Sequence, residues 1–361
     1  MRRPLRVGFM GAGRPSHWHA ESLATIDGVD LTAVSEPDPK RRKKFLEVHG
    51  KMEEYDDYRD MLRRAGIDAV VISLPTGLHC MATVESLARG LHVLCEKPPT
   101  TSAREMIHVA HLAKRHRLTY MFCRQARYTP ASLEARSLIQ RGRIGSVYHA
   151  EGKWIRARDI PWGAGGWFVD KKRGGGVLLD LGIHAIDNAW FVMGCPRPVE
   201  AVAGLHCAFA HLAPNGVEYT AEDAAVGLIR FSDGATLHFM VTFALNTAGP
   251  GPQVADGIGK TEWQEVKIYG TKGGIDVMAG KMIVGRKREV RIIPLRTSEK
   301  AESVFVRQSR EFVRAIRTRD EAANSAAQAV VLMQMLDALK KSGEQGKAVR
   351  IRPSVLCLKV G

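Results

Sequence analysis

Short apolar runs alternate with helical patterns through the first third of the chain. Each run is short enough to form a buried strand, and the pattern that follows it repeats with helical spacing. Repeated strand–helix units predict a parallel, doubly wound α/β sheet over residues 5–123. The predicted strands are Leu5–Met10, Leu31–Val34, Ala69–Leu74, Val93–Cys95 and Thr119–Phe122. The predicted helices are one from about His17, then Pro39–His49, His79–Arg89 and Ser102–His116.

Beyond Tyr128 the pattern changes to strand-like alternation with hairpin signals at Ser232–Gly234 and Thr271–Gly274. This pattern of apolar and polar residues predicts an α+β region with a large, mostly antiparallel open sheet. The uncovered face of such a sheet suits self-association. The predicted strands are Val147–Lys153, Val199–Phe209, Ala224–Phe231, Ala235–Ala244, Glu265–Tyr269 and Met282–Val284. Helices are predicted at Pro130–Arg141, Val177–Met193 and Val304–Lys341, and a loop from Gly249 to Pro252.

Length and composition favour a globular protein of two domains, because 361 residues exceed one ordinary α/β core and 45% of them are apolar. We expect the domains to cover residues 1–123 and 124–361, with the C-terminal helices able to pack back on the first. The six cysteines form no C-x-x-C pair, which argues against a zinc site or a disulfide framework. No apolar run approaches the roughly 18 residues of a membrane span. We therefore expect a cytoplasmic protein without a metal.

The net charge of +15 raises the question of nucleic acid as a partner. The densest basic cluster, Lys40–Lys44, lies on a predicted surface helix and carries no aromatic residues that could stack bases. A solvated helix face explains it better, so we expect no nucleic-acid partner. The surplus charge remains compatible with an anionic cofactor or substrate.

A glycine turn follows the first predicted strand. Gly11 permits the tight turn, and Gly13 lets the backbone approach a pyrophosphate at the helix N-terminus. Ser16 occupies the third glycine position of this fingerprint, where a small residue still allows helix and strand to pack. The turn predicts a Rossmann dinucleotide-binding domain, with Ala12 and Arg14 also at the cofactor.

Glu36 ends the second predicted strand, about 25 residues beyond Gly11. Its carboxylate could accept both hydroxyls of the adenosine ribose and would repel a 2′-phosphate, so we expect NAD rather than NADP. Two alternatives stay open. Glu36 could simply cap the following helix, and Arg41 or Arg42 could turn toward a phosphate.

The segment Leu74–His79 follows the third predicted strand, at the sheet edge where open α/β sheets bind ligands. We expect Leu74, Pro75 and Thr76 to line the dinucleotide cleft. His79 could join them or could only begin the next helix.

Lys97 lies at the end of a buried apolar strand, between Glu96 and two prolines. A lysine there must pair with another group or change its pKa. It is a candidate catalytic residue, and an ion pair with Glu96 is the alternative.

Asp180 and His184 lie four residues apart in a predicted helix and so share one face. The carboxylate can orient the imidazole, which titrates near neutrality. Three glycines, Gly174–Gly176, would let a ligand approach. Asp187 continues the same face, where a structural hydrogen bond is its expected role.

These motifs together resemble the Gfo/Idh/MocA oxidoreductase family, nearly from end to end. The resemblance rests on the glycine turn with His19 downstream, Glu36–Pro39, the Pro75–His79 turn, Glu96-Lys97-Pro98, Arg127–Pro130, the Gly174–Asp187 block and the closing Ser342–Val349. It implies a Rossmann domain, then an α+β domain with a large open sheet used for homodimers or homotetramers. It also implies hydride transfer between NAD(P) and a sugar or polyol carbon.

Carried onto this chain, the resemblance implies that Lys97 orients and polarises the reacting hydroxyl, His184 is the general base and Asp180 positions it. Glu96 and Arg127 are implied at the cofactor. All three catalytic positions are present, which argues against a non-catalytic, sugar-sensing relative. The departure at Ser16 bears on cofactor affinity rather than on catalysis.

The segment Trp154–Trp167 lies where the family builds its substrate pocket. The tryptophans of this segment, Trp154, Trp162 and Trp167, could stack on the apolar face of a sugar, and Arg156 or Arg158 could bind a carboxylate or phosphate. The same residues could equally belong to a core or an interface.

The leading hypothesis is thus an NAD-dependent dehydrogenase that acts on a secondary hydroxyl of a sugar, glycoside or cyclitol. One alternative is a lyase or glycosidase that uses NAD in a closed cycle through a transient ketone. The other is a sugar-binding regulator without turnover.

Overall fold

The computed structural model describes residues 3–162, 164–247, 261–297 and 302–352. The chain divides into two compact units. The first contains the described residues up to 128 together with 302–333, and the second contains those from 129 to 297 together with 334–352.

Strands and helices follow the predicted alternation in the first unit, and the bounds of the elements in both units are as follows. The strands among the described residues are β1 (Leu5–Met10), β2 (Val29–Ser35), β3 (Glu53–Tyr55), β4 (Ala69–Ile72), β5 (His92–Cys95), β6 (Tyr120–Phe122), β7 (Val147–Arg156), β8 (Pro198–His206), β9 (Ala224–Phe231), β10 (Thr236–Thr242), β11 (Glu262–Gly270), β12 (Gly273–Asp276), β13 (Lys281–Arg286), β14 (Glu289–Pro294) and β15 (Val349–Arg350). The α-helices are α1 (Arg14–Ala24), α2 (Pro39–His49), α3 (Tyr58–Arg64), α4 (Thr76–Ala88), α5 (Ala103–His116), α6 (Pro130–Gln140), α7 (Ile183–Val192), α8 (Val304–Thr318) and α9 (Ala326–Gln345).

The sheet of the first unit has six parallel strands in the order β3-β2-β1-β4-β5-β6. The order reverses beside β1, and at such a switch point the carboxyl ends of the strands form a ligand-binding crevice. The core under this sheet includes Val7, Phe9 and Val71, and residues Phe312 and Val313 of α8 pack into it. The predicted doubly wound sheet is therefore confirmed.

The second unit is built on a nine-stranded sheet in the order β14-β13-β12-β11-β7-β10-β9-β8-β15. The pair β7–β10 is parallel and the other recorded pairs are antiparallel, which confirms a mostly antiparallel sheet. Both predicted hairpins form, between β9 and β10 and between β11 and β12. Helix α7 lies directly on β7, because a Cβ on Gly152 would meet the Ala185 carbonyl oxygen at 2.5 Å.

Several predicted boundaries were wrong. Helix α1 begins at Arg14 rather than near His17, since Pro15 fits the first helical turn, which needs no N–H from it. The single helical region predicted over 304–341 is two helices, and the first ends where Arg319 turns left-handed with φ 62°. Strands β3 and β14 and helix α3 were missed because they are short or carry polar, exposed patterns. The predicted loop at Gly249–Pro252 lies outside the described residues.

Among the helices that the structure describes, none has both the length and the apolar character needed to cross a bilayer.

Candidate functional site

The glycine turn after β1 is held by backbone geometry. Gly11 has φ +90°, and a Cβ there would meet the Ser73 carbonyl oxygen at 2.7 Å. Ser16 is fully buried, and its hydroxyl donates a 2.6 Å hydrogen bond to the Gly11 carbonyl oxygen. The serine at the third glycine position thus closes the turn itself, a contact that a glycine could not make.

The N-terminus of α1 is open to an anion. No side chain caps this helix at Gly13, and a Cβ on Gly13 would meet nothing nearer than Pro15 Cδ, at 3.8 Å. Arg14 is exposed beside it. Space at the backbone and an uncapped helix start are what a dinucleotide pyrophosphate requires, so this turn fits NAD.

Glu36 reaches back to the glycine turn from the end of β2. One carboxylate oxygen accepts the Ala12 N–H at 2.9 Å, and the other accepts the Asp38 N–H at 3.1 Å. The side chain of Asp38 caps α2, so Glu36 is not itself the helix cap. A carboxylate has about four acceptor positions, and two hydrogen bonds leave capacity for ribose hydroxyls.

The two arginines that could have received a 2′-phosphate differ in their contacts. Arg42 donates to Glu54 at 3.0 Å, to Asp56 at 2.6 Å and to the Glu36 carbonyl oxygen at 2.5 Å. Arg41 is exposed and pairs only loosely with Asp38, at 3.5 Å. Arg42 is therefore committed to acidic partners, which is consistent with an NAD site.

The segment after β4 begins α4 at Thr76, with Thr76 buried and Pro75 exposed at its start. His79 lies one turn in, almost fully buried, and its two ring nitrogens lie 2.7 Å from the Pro98 and Leu74 carbonyl oxygens. Burial lowers the pKa of His79, and the two carbonyls oppose that effect. The imidazole ties the end of β4 to the loop after β5; its part in cofactor binding stays a prediction.

Glu96 sits at the centre of a buried polar cluster at the end of β5. His19 Nε2 lies 2.8 Å from one carboxylate oxygen of Glu96, and the Lys97 N–H donates to the other at 3.0 Å. Burial raises the pKa of Glu96, but the hydrogen bond and charge of His19, with Lys97, outweigh it and bring the pKa to about 2. Glu96 is therefore ionised and fixes the backbone at Lys97.

Cys123 completes this cluster, with its sulfur 3.5 Å from His19 Nε2. In the part of the chain that the structure describes, His19, Glu96 and Cys123 are the one group close enough to hold a metal ion. Burial raises the pKa of Cys123 well above its ordinary value. The hydrogen bonds of Glu96 to His19 and to the Lys97 N–H support the Lys97 loop, and the expected absence of a metal stays a prediction.

Lys97 is partly exposed, between the buried Glu96 and Pro98. Arg127, by contrast, is almost fully buried: it donates to the Ala323 carbonyl oxygen at 3.1 Å and to the Gln328 side chain, with its guanidinium over the Phe122 ring. These contacts anchor the segment before α9. They give Arg127 a structural role in the first unit, and its implied cofactor contact stays a prediction.

In the second unit, Asp180 and His184 stand out by exposure. Every other residue from 177 to 192 is buried, and these two are partly exposed. The helix predicted over Val177–Met193 forms, and Asp180 lies in a π-helical turn, Leu178–Gly182, that leads into α7. Such turns are frequent at functional sites. Asp187 is fully buried, in line with a structural role.

The glycines before this turn serve the chain's own packing. A Cβ on Gly175 would meet the Trp167 and Phe168 carbonyl oxygens at 2.5 Å, and one on Gly176, at φ +122°, would meet Glu222 Oε1 at 2.3 Å. Glu222 accepts the Leu178 N–H at 3.1 Å. The space that the predicted ligand approach required is thus filled by protein atoms at these two positions.

Among the tryptophans of the segment 154–167, Trp154 packs against His184. Their ring centroids are 5.0 Å apart at a tilt of 60°. Glu262 accepts the Trp154 Nε1–H at 2.6 Å and the Arg156 Nε–H at 3.1 Å. Only the pairing of β7 with β11 brings Glu262 here, so its role had no local signal in the sequence.

The residues selected for substrate binding make other contacts. Arg158 donates to the Ala157 and Leu245 carbonyl oxygens at 2.7 and 3.1 Å. Trp162 packs edge-on against Tyr219, with centroids 5.8 Å apart, and Trp167 stacks on Phe168 at 3.8 Å. These aromatic contacts fit the core alternative, and a substrate contact by any of the three stays a prediction.

Comparison with known families gives two matches. Residues 5–123 match the model described as "Oxidoreductase family, NAD-binding Rossmann fold", and residues 132–276 match the "GFO/IDH/MocA C-terminal domain". Together the two models cover more than half of the chain.

Similar proteins match from about two thirds to nearly all of the chain. D-glucoside 3-dehydrogenase of Escherichia coli (strain K12) is 27% identical over 96% of this chain and 98% of its own. The scyllo-inositol 2-dehydrogenase (NAD(+)) of Bacillus subtilis (strain 168) is 28% identical over 65% of this chain and 66% of its own. A solved structure of levoglucosan dehydrogenase with NADH and levoglucosan shares the fold at a TM-score of 0.80 and 20% identity, covering 97% of this chain and 100% of that one.

Proposed function

The chain belongs to the Gfo/Idh/MocA family of NAD-binding oxidoreductases, and on that premise we propose that it oxidises a secondary hydroxyl of a sugar, glycoside or cyclitol. The observation that carries the proposal is the exposure pattern of residues 177–192. Within a segment that is otherwise buried, one carboxylate and one imidazole, Asp180 and His184, reach the surface, so both are accessible to a substrate. The relatives named for glucosides and inositols support this substrate class.

Each catalytic side chain has one task. Lys97 donates a hydrogen bond to the reacting hydroxyl and lowers its affinity for the proton. His184 accepts that proton at a ring nitrogen, and Asp180 orients the imidazole. NAD, when bound, would accept the hydride that leaves the carbon bearing this hydroxyl. In the reverse direction, the same groups return the proton to a ketone.

The glycine turn, Gly13 and Glu36 support NAD as the cofactor. Glu36 holds the turn through Ala12 and retains acceptor capacity for the ribose, while Arg42 is committed to Glu54 and Asp56. We expect at least about tenfold tighter binding of NAD than of NADP, measured by fluorescence titration with the two reduced forms. Equal affinities would contradict this part of the proposal.

The primary test is the absorbance of reduced nicotinamide when the protein and NAD meet a panel of sugars, glycosides, sugar acids and inositols. Sustained growth of the signal with one compound would establish the dehydrogenase. If no compound produces reduced nicotinamide, although the protein is shown to bind NAD, the result would favour the closed-cycle lyase or glycosidase.

Two substitutions test the assigned roles. Lys97→Met and His184→Asn should each lower turnover by about 10²–10⁴-fold, because each removes a proton-handling group. His211→Asn is the control, since His211 is exposed elsewhere in the second unit. Near-normal turnover in both site variants would overturn the assignment.

For assembly, we propose a homodimer or homotetramer formed through the open face of the nine-stranded sheet. Val202 and Leu228 are paired across β8 and β9 on this face and are 41% and 37% exposed. Light scattering after size exclusion should give a mass of two or four chains, and Leu228→Lys should lower it. The expected cytoplasmic location stays a prediction.

A further inference from the structure

Trp154 occupies the position on β7 next to the helix that carries His184. Side chains alternate along a strand, so Gly152 and Trp154 share a face. Gly152 lies under α7, close to Ala185. Two residues further along the same face, Trp154 packs on the His184 ring. The indole therefore forms a wall beside the proposed base.

The orientation of this wall is fixed from the neighbouring strand. Glu262 pairs with Arg156 in the register of β7 and β11, and its carboxylate accepts the Trp154 Nε1–H at 2.6 Å. A buried indole N–H usually needs such a partner. This bond holds the indole in one orientation, with the Arg156 guanidinium over the ring at 5.9 Å from its centroid and the rest of the side chain partly exposed.

The charge beside the indole is neutralised within the protein. Arg156 lies 3.1 Å from Glu262 and 3.6 Å from Asp159. Burial raises the pKa of Glu262, but the hydrogen bonds of Trp154 and Arg156 outweigh it and lower that pKa, so the carboxylate is ionised. An anionic substrate would have to compete with two carboxylates for this guanidinium. Of the two cations that the sequence offered for a carboxylate or phosphate, Arg156 is committed to these carboxylates, whereas Arg158 donates to backbone carbonyl oxygens.

We propose that the site on the second unit selects an uncharged sugar or cyclitol ring, with Trp154 as a specificity residue that packs on the ring's apolar face and Glu262 as the residue that excludes anions. The inference rests on the proposed function and deepens it. Indole faces suit the C–H face of a ring, and a neutral ring leaves the Arg156–Glu262 pair intact.

The first experiment compares neutral and anionic members of the panel by turnover and by calorimetric binding to the full chain with NAD. The probes are methyl glucoside, methyl glucuronide, glucose 6-phosphate and myo-inositol. We expect the best kcat/KM and the tightest binding among the neutral rings. A sugar acid or phosphate that surpasses every neutral ring would overturn the inference. If no compound is turned over but neutral rings still bind more tightly than anionic ones, the proposed function is wrong and the inferred selectivity is supported.

Variants at the two residues provide a second test. Trp154→Ala should raise KM, or the dissociation constant, for the best neutral ring by about tenfold or more, and Trp154→Phe should recover part of the loss. Because Trp154 packs on His184, the acid limb of the kcat profile against pH should also move in Trp154→Ala. Unchanged KM and profile would contradict the role of Trp154.

The sharpest comparison uses two glutamates of β11. Glu262→Gln keeps an acceptor for the indole but removes the counter-charge of Arg156, so the preference for neutral over anionic rings should fall by about tenfold. Glu265→Gln is the matched control, because Glu265 pairs with Lys153 and Lys267 instead. Equal preferences in the two variants would overturn the proposed role of Glu262.

Discussion

The two units hold their functional residues in different ways. In the first, three polar side chains bond to backbone groups of the loops that they support: Ser16 to the Gly11 carbonyl, Glu36 to the Ala12 N–H and Glu96 to the Lys97 N–H. In the second, Trp154 and Glu262 hold each other by their side chains beside His184. Backbone anchoring suits a cofactor that never changes, whereas a wall of side chains can be altered by single substitutions to suit another substrate.

The largest expected effect comes from a substitution in the glycine turn of the first unit. Gly11→Ala should destabilise the protein by roughly 3 kcal/mol, because an alanine there is strained by the positive φ and meets the Ser73 carbonyl oxygen. Gly50→Ala is the control, since Gly50 has the same φ of +90° with nothing within 4 Å. It should cost only about 1–2 kcal/mol in urea unfolding. Equal losses would show that the close approach to Ser73 contributes nothing.

The buried cluster around Glu96 should make the first unit sensitive to acid. The pKa of Glu96 lies at about 2 in the folded protein against an ordinary 4.5, so its contribution is present above pH 4.5 and is lost as the pH falls toward 2. We expect Glu96→Gln to be less stable than the natural protein by roughly 3 kcal/mol at pH 6. The difference should shrink below pH 4.5 in denaturant titrations. A difference that stays constant from pH 6 to pH 3 would contradict this.

A milder change separates cofactor binding from folding. Gly13→Ala should leave stability nearly unchanged, because a Cβ there meets only Pro15 at 3.8 Å. NAD binding should weaken by at least about tenfold, since the methyl group would occupy the space assigned to the pyrophosphate. Melting temperature and NAD titration of one preparation measure both. Unchanged NAD affinity would place the pyrophosphate elsewhere.

The smallest expected effect lies in the second unit, at Glu222. Burial raises the pKa of this carboxyl, so the natural protein loses stability as the pH rises from 4.5 through the raised pKa. Glu222→Gln keeps an acceptor for the Leu178 N–H and should stabilise the protein at pH 8 by less than about 1 kcal/mol. Glu222→Leu removes the acceptor and should destabilise it. Melting curves of the natural protein and Glu222→Gln at pH 5 and pH 8 measure this. A Glu222→Gln protein that is less stable than the natural protein at pH 8 would contradict the prediction.

Local patterns predicted much of this molecule. The strands β1 and β9 and the helix α2 have the predicted bounds, because each is a continuous apolar or amphipathic run between clear breakers. The helix predicted over Val177–Met193 forms, but the pattern did not predict its π-helical turn at Leu178–Gly182. The glycines at 175 and 176 were interpreted as room for a ligand, whereas contacts with Trp167, Phe168 and Glu222 use that room.

The sequence alone determined the alternation of strands and helices, the glycine turn, and the presence of Lys97, Asp180 and His184. Periodicity and short motifs depend on residues that are near one another in the chain. Tertiary structure decided what surrounds those residues. Glu262 contacts Trp154, from which it is 108 positions away in sequence, and His19 contacts Glu96, which is 77 positions away. Strand register and helix packing set these contacts, and they determine which charges are neutralised and which side chains face a substrate.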